Sequence, residues 1–108
     1  MNNNDLVPDF DDEKDDSLKI TLEKADGVEN GLLIILNGYI DTYNSVYFQK
    51  QIGKVVATGF VNLIFNCSNL NYVSSTGIGS FTSFLKLVKA KNGDIVLNGT
   101  LTLPEGYT

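Results

Sequence analysis

FVNLIFNCSNLNYVSSTGIGSF, residues 60 to 81, is the stretch on which the fold turns. Val61 to Cys67 is a short apolar run containing Val, Ile and Phe, bounded by Gly59 before it and Ser68-Asn69 after it, which is the pattern of a buried strand. Beyond it the period of the apolar residues changes. From Thr76 to Lys91 they fall at Ile78, Phe81, Phe84, Leu85 and Val88, the spacing of a helix. Lys86, Lys89 and Lys91 gather at the far end, where cations complement the helix dipole, and Asn92-Gly93 stops the element. A strand running into a helix is half of a βαβ unit, so a parallel neighbour is expected.

The flanking sequence supplies it. Asp94 to Asn98 (DIVLN) reads as a strand after the helix. Before residue 60, Phe48, Ile52, Val55 and Val56 lie at i, i+4, i+7 and i+8, a second helix that Thr42 or Asn44 can cap and Gly59 ends. Leu32 to Leu36 is continuously apolar and is expected to be a strand covered on both faces, with Gly38 to Thr42 a short loop after it. Ser17 to Lys24 alternates, with Leu18, Ile20 and Leu22 on one side and Lys19, Thr21 and Glu23 on the other. It is expected to form a hairpin with Leu32 to Leu36 across the Asp26-Gly27 and Asn30-Gly31 turn signals. The order β-β-α-β-α-β gives an α/β fold: a mixed, mostly parallel sheet with right-handed crossovers and an antiparallel strand at its edge. The last ten residues, GTLTLPEGYT, carry no helical period and are expected to be irregular or weakly extended.

At 108 residues with 43% hydrophobic composition, the chain can bury one modest core. Its net charge of −5 is concentrated: residues 1 to 16 hold seven acids against Lys14, and the remainder is close to neutral. Residues 1 to 16 are therefore expected to be a disordered acidic tail, with the folded domain running from 17 to 108. The acidity argues against a nucleic-acid surface, which must neutralise phosphates. No apolar run approaches the ~18 residues that span a bilayer, and no signal peptide is visible, so no membrane role is expected. A lone Cys67 among apolar residues is expected to be reduced and buried, consistent with a cytoplasmic protein.

In open α/β sheets, ligands and partners meet the loops at the carboxyl ends of the strands. One such loop holds Asp41, Thr42, Tyr43 and Asn44; the other holds Ser74, Ser75, Thr76, Gly77 and Ile78. The serines lie where a helix begins, so free N–H groups and the dipole favour an added anion, although capping is the ordinary use of such residues. Gly77 and Gly79 match neither dinucleotide nor P-loop spacing. The chain has no histidine, which excludes a Ser-His hydrolase arrangement and most metal sites, and no base adjoins Ser75 in sequence. An enzyme is not expected, and no cofactor is implied. Tyr39, Tyr43, Tyr47 and Tyr72 are candidates either for a contact surface or for partial core burial.

The stretches LIILNGYIDTYNSVYFQKQI (33 to 52), FVNLIFNCSNLNYVSSTGIGSF (60 to 81) and NGDIVLNG (92 to 99) resemble the STAS domain of bacterial anti-sigma-factor antagonists. Two signatures carry the resemblance: Gly38-Tyr39-Ile40-Asp41 before the first helix, and Ser74-Ser75-Thr76-Gly77-Ile78-Gly79 at the second. The resemblance implies a sheet of four to five strands. It also implies that Ser75 accepts a phosphate, with Thr76 secondary, and that Asp41 positions the acceptor. Asp41, Thr42, Tyr43, Asn44, Ser74, Gly77 and Ile78 would then form the partner surface. The implied partners are an anti-sigma factor that is also a serine kinase, and a PP2C-like phosphatase; the unphosphorylated antagonist binds the former and releases sigma. Ser74 stands where the family usually has aspartate, and Tyr39 where an acid is common. Against the family pattern the chain is short of a C-terminal helix, so oligomerisation or domain swapping over an under-covered sheet is expected. Two other readings remain: a STAS scaffold whose Ser75 only caps the helix, and a small module holding an anion or nucleotide at the same place.

Overall fold

The computed structural model describes residues 2–99 and contains α1 (Asn3–Leu6), a 3-10 turn (Phe10–Asp12), β1 (Leu18–Lys24), β2 (Gly31–Ile40), α2 (Ser45–Thr58), β3 (Asn62–Val73), α3 (Ser75–Lys89) and β4 (Asp94–Asn98). The four strands form one sheet in the order β1-β2-β3-β4. β1 pairs with β2 antiparallel, with Ile20 opposite Leu36, and β2-β3 and β3-β4 are parallel. The α/β class and the β-β-α-β-α-β order from Leu18 onward are as expected. Residues 100 to 108, on which an irregular ending was expected, lie outside the described residues.

Two crossovers that step the same way across a sheet, each right-handed, lay their helices on the same face. The burial pattern follows. Leu18, Ile20, Leu22, Leu32, Ile34, Leu36, Leu63 and Phe65 are buried beneath the helices. Leu33, Ile35 and Ile64, one residue out of phase, are only half-buried, and Val96 is 51% exposed. The expectation that Leu32 to Leu36 is covered on both faces is thereby corrected. Phe48 of α2, Phe65 of β3, and Phe81 and Phe84 of α3 contact one another in all six pairings, with ring centroids 5.1 to 6.3 Å apart and mostly edge to face. Such rings bring large apolar area and a geometric preference together, which fixes the two helices against the sheet. Leu85, counted with this apolar set from its spacing, instead lies 38% exposed.

Two strands run further than the sequence suggested. β3 extends to Val73 through the polar stretch Ser68-Asn69, with a register irregularity against β2 between Ile35 and Asn37. Gly38 to Ile40, expected to be loop, belongs to β2. Gly38 has φ 122°, and a Cβ there would stand 2.1 Å from the Ser17 carbonyl oxygen. Here glycine lets two strands approach closely rather than breaking one.

The N-terminal segment departs most from expectation. Residues 2 to 12 are not a disordered tail: Val7 is 0% and Phe10 1% exposed, both within the core. The composition of the segment is polar, but these two residues, with Leu6, place enough apolar surface on the core to hold it as a strap. Its polar atoms are bound to the fold as well. Lys54 Nζ donates to the Asp9 carbonyl (2.9 Å), Lys50 pairs with Glu13, and the buried Gln51 donates to the Phe10 carbonyl. Gln51 Oε1 is buried without a partner among the described residues, a polar cost of about 1–3 kcal/mol that the strap's apolar anchors must outweigh. The Lys50 bond holds the Glu13 carboxyl below its usual range. Burial, then Asp11, Asp15 and Glu13, push the Tyr47 phenol up. At the other side of the strap, Asn3 lies along the outer edge of β1. Its Nδ2 donates to the Ile20 carbonyl and its Oδ1 accepts from the Leu22 N–H, both at 2.8 Å.

Truncating Phe10 to Ala should lower the unfolding free energy by about 3 kcal/mol, as for other buried aromatics. Urea titration measures it, and a change below about 0.5 kcal/mol, typical of a surface position, would show that the strap is not packed. Burial pushes the Cys67 thiol up to about 11. The unfolded thiol ionises first, so the stability that Cys67 contributes is complete at neutral pH and is lost as pH rises toward that value. Alkylation of Cys67 at pH 8 should therefore proceed only as fast as the chain unfolds; rapid labelling of the folded protein would contradict this.

Candidate functional site

The parallel register brings Ile40 of β2 beside Val73 of β3, so both strands end at the same level. The Ser74 N–H donates to the Ile40 carbonyl at 2.8 Å and fastens the two ends together. Asp41 and Ser75 are the next residues along each chain segment. The two loops expected to open on one edge thus do so.

Ser74 is the N-cap of α3: it is 6% exposed, its backbone is extended, and its Oγ accepts from the Gly77 N–H at 3.1 Å. The helix begins at Ser75, one residue before the expected start. Ser75 and Thr76 are both exposed. Gly77 is buried against the strand ends, and a Cβ there would stand 2.8 Å from both Ile40 Cγ2 and Val73 Cγ1. Ile78 is half-buried against the core. The glycine lets the first turn of α3 press onto the sheet, which sets where Ser75 emerges.

The Asp41 loop is ordered by its own side chains. Asp41 Oδ1 accepts from the N–H groups of Tyr43 (2.9 Å) and Asn44 (2.8 Å). Asn44 Oδ1 accepts in return from the Asp41 N–H at 2.8 Å. Although Asn44 is the residue before α2, its side chain makes no cap bond to that helix, contrary to the capping role expected for it. Asn44 Nδ2 instead donates to the Tyr39 carbonyl (2.8 Å) and to Ser17 Oγ (2.7 Å), and the residue is 4% exposed. Sequence reasoning had no signal for the Ser17 contact, because a hydroxyl 27 positions away shows no periodicity.

Around the two loops lies exposed apolar and aromatic surface: Tyr43 is 89% and Val46 71% exposed, and Tyr39 and Tyr72, paired across β2 and β3, are each 40% exposed. Three of the four tyrosines thus face solvent to a large extent, while Tyr47 packs partly against the core. Val46 was not anticipated, since a lone exposed valine in a helix leaves no pattern. A cleft of about 510 Å³ lies elsewhere, between the strap and β1, and neither the Asp41 loop nor Ser74 to Ile78 lines it. Among the described residues no helix is long and apolar enough to cross a membrane.

The STAS domain model matches residues 19–101. A Bordetella bronchiseptica protein described as a candidate anti-sigma factor antagonist, BtrV, is 25% identical over 80 residues, which are 74% of this chain and 66% of that protein. The chain thus spans about two thirds of that relative's length. An anti-sigma factor antagonist from Mycobacterium paratuberculosis superposes with a TM-score of 0.66 at 23% identity, covering 83% of this chain and 75% of that one. The antagonist SpoIIAA in its unphosphorylated form gives 0.63 at 18% identity, covering 82% and 90%. These two structural likenesses are likenesses of fold.

The two glycines of the Ser74 to Gly79 turn should respond oppositely to a methyl group. Gly77→Ala should destabilise by about 1–3 kcal/mol through overpacking against Ile40 and Val73. A methyl group at Gly79 would meet no described atom within 4 Å, so Gly79→Ala should stabilise the helix by about 0.5–1 kcal/mol. Thermal or urea unfolding of the pair is the check, and equal effects would refute the packing described.

Proposed function

This chain belongs to the STAS domain family, and on that premise we propose that it is an anti-sigma-factor antagonist whose Ser75 is the phosphate-accepting switch. The observation that carries the reading is a division of labour between two serines. Ser74 caps α3, while Ser75 stands exposed in the first turn. A phosphate on Ser75 adds about −1.5 to −2 charge where the helix dipole and free N–H groups favour an anion, so the fold tolerates it. The effect falls on whatever docks there. Tyr43, Val46, Tyr39 and Tyr72 offer an apolar, partly aromatic rim of the kind that buries well against a partner, and a dianion beside it resists that burial. A penalty of ~3 kcal/mol would weaken binding more than a hundredfold.

In this reading the partner is an anti-sigma factor that is also a serine kinase, and a PP2C-like phosphatase reverses its action. The unphosphorylated chain holds the anti-sigma factor through the exposed Thr42 and Tyr43 of the Asp41 loop and the part of Ile78 that reaches the surface, while Asn44, Ser74 and Gly77, expected to touch the partner, are buried and shape that surface from beneath; sigma is then released. Thr76, also exposed, is the secondary candidate, the position to examine if Ser75 is not the acceptor. The chain supplies a hydroxyl and a surface rather than catalysis, needs no cofactor of its own, and works in the cytoplasm. The names of the Bordetella and Mycobacterium relatives support the antagonist role, and the SpoIIAA structure, described as unphosphorylated, supports phosphate as the variable.

Incubation with the cognate kinase and ATP should add one phosphate to the wild type and none to Ser75→Ala, as read by intact-mass spectrometry. Ser75→Asp should bind the anti-sigma factor about a hundredfold more weakly. Phosphate on Ser75→Ala, or undiminished binding by Ser75→Asp, would end this reading.

A further inference from the structure

The side chain of Asn44 has three hydrogen-bonding directions in use, and each leads to a different part of the fold. Oδ1 takes the Asp41 N–H, and Nδ2 gives one proton to the Tyr39 carbonyl at the end of β2 and the other to Ser17 Oγ. A residue before a helix ordinarily turns its oxygen onto the first free N–H groups, which is worth about 1 kcal/mol; here that use is forgone. A hydroxyl can donate only once. Ser17 Oγ donates to the Asp15 carboxylate, which also accepts the Ser17 N–H at 2.9 Å, so its lone pairs are left for Asn44. Ser17 is fixed a second time through its carbonyl, which accepts the Tyr39 N–H at 3.1 Å and against which Gly38 lies with no room for a Cβ.

Asp15 closes the acidic strap that Val7 and Phe10 anchor and that Lys50, Gln51 and Lys54 hold onto α2. A continuous set of bonds therefore runs from the strap to the Asp41 loop: Asp15 to Ser17, Ser17 to Asn44, Asn44 to Asp41. We infer that Asn44 is the positioning residue of the Asp41 loop and that the N-terminal strap sets the order of this loop through Ser17. Releasing the strap, whether by a partner that takes the acidic segment or by cleavage within it, frees the loop without unfolding the sheet. The regulatory meaning of this coupling rests on the Ser75 reading; the coupling itself does not.

Amide hydrogen exchange on the full chain tests it. In Ser17→Ala the amides of Asp41, Tyr43 and Asn44 should exchange roughly five- to tenfold faster, the loss of about one ordinary hydrogen bond, while those of Ile34 and Phe65 stay unchanged. Ser17→Thr, which keeps the hydroxyl, should restore protection. Phe10→Ala, remote from the loop, should loosen the same three amides relative to Ile34 and Phe65. Unchanged loop amides in Ser17→Ala, no rescue by Ser17→Thr, or loosening confined to residues 2 to 12 in Phe10→Ala would each overturn the inference. No kinase enters the measurement, so a Ser75 that accepts no phosphate would sink the functional reading and leave this result intact.

Discussion

Parallel pairing of β2 with β3 is the constraint on which everything else hangs. It makes the two strands end side by side, and the bond from the Ser74 N–H to the Ile40 carbonyl holds those ends together. Two loops far apart in sequence, one carrying Asp41 and the other Ser75, are thereby made into one surface. Because parallel strands require crossovers, this pairing obliges α2 to exist as the β3-β4 pairing obliges α3, and two crossovers stepping the same way lie on a common face. The phenylalanine cluster between them is a consequence of that placement. Ile40 and Val73 lie beneath the first turn of α3 and belong to the same close-packed core as the four rings, so a charge added above changes the surface far more than the packing.

Much of this was legible because it is periodic. The helix of Phe81, Phe84 and Val88 and the strand of Leu63 and Phe65 announce themselves by spacing, and the two glycine-containing signatures mark where the site loops fall. What could not be read has a physical reason in each case. The strap was hidden because averaging charge over sixteen residues drowns two apolar anchors, Val7 and Phe10, whose value depends on a core they meet only after folding. β3 ran past its apolar stretch because ladder bonds at Asn69, Leu70, Tyr72 and Val73 carry it on, and a single buried Leu70 among polar neighbours leaves no strand pattern. Leu33 and Ile35 looked as buried as their neighbours, since a run of apolar residues does not say which face the helices choose.

At the site, residue type was legible and assignment was not. Three hydroxyls in a row, Ser74 to Thr76, all suit a helix start; only the extended backbone of Ser74 and its bond to the Gly77 N–H assign it the cap and leave Ser75 outside. Asn44 is the converse. Its position implied a cap, and its burial directs it instead toward Ser17 and Tyr39.

Asn3 gives the sheet a direction of growth. With one carboxamide occupying the carbonyl of Ile20 and the amide of Leu22, that flank of the sheet behaves as though a further strand were already in place. Among the described residues, the border left for an additional strand is the one alongside Asp94 to Asn98, at the opposite side of the sheet.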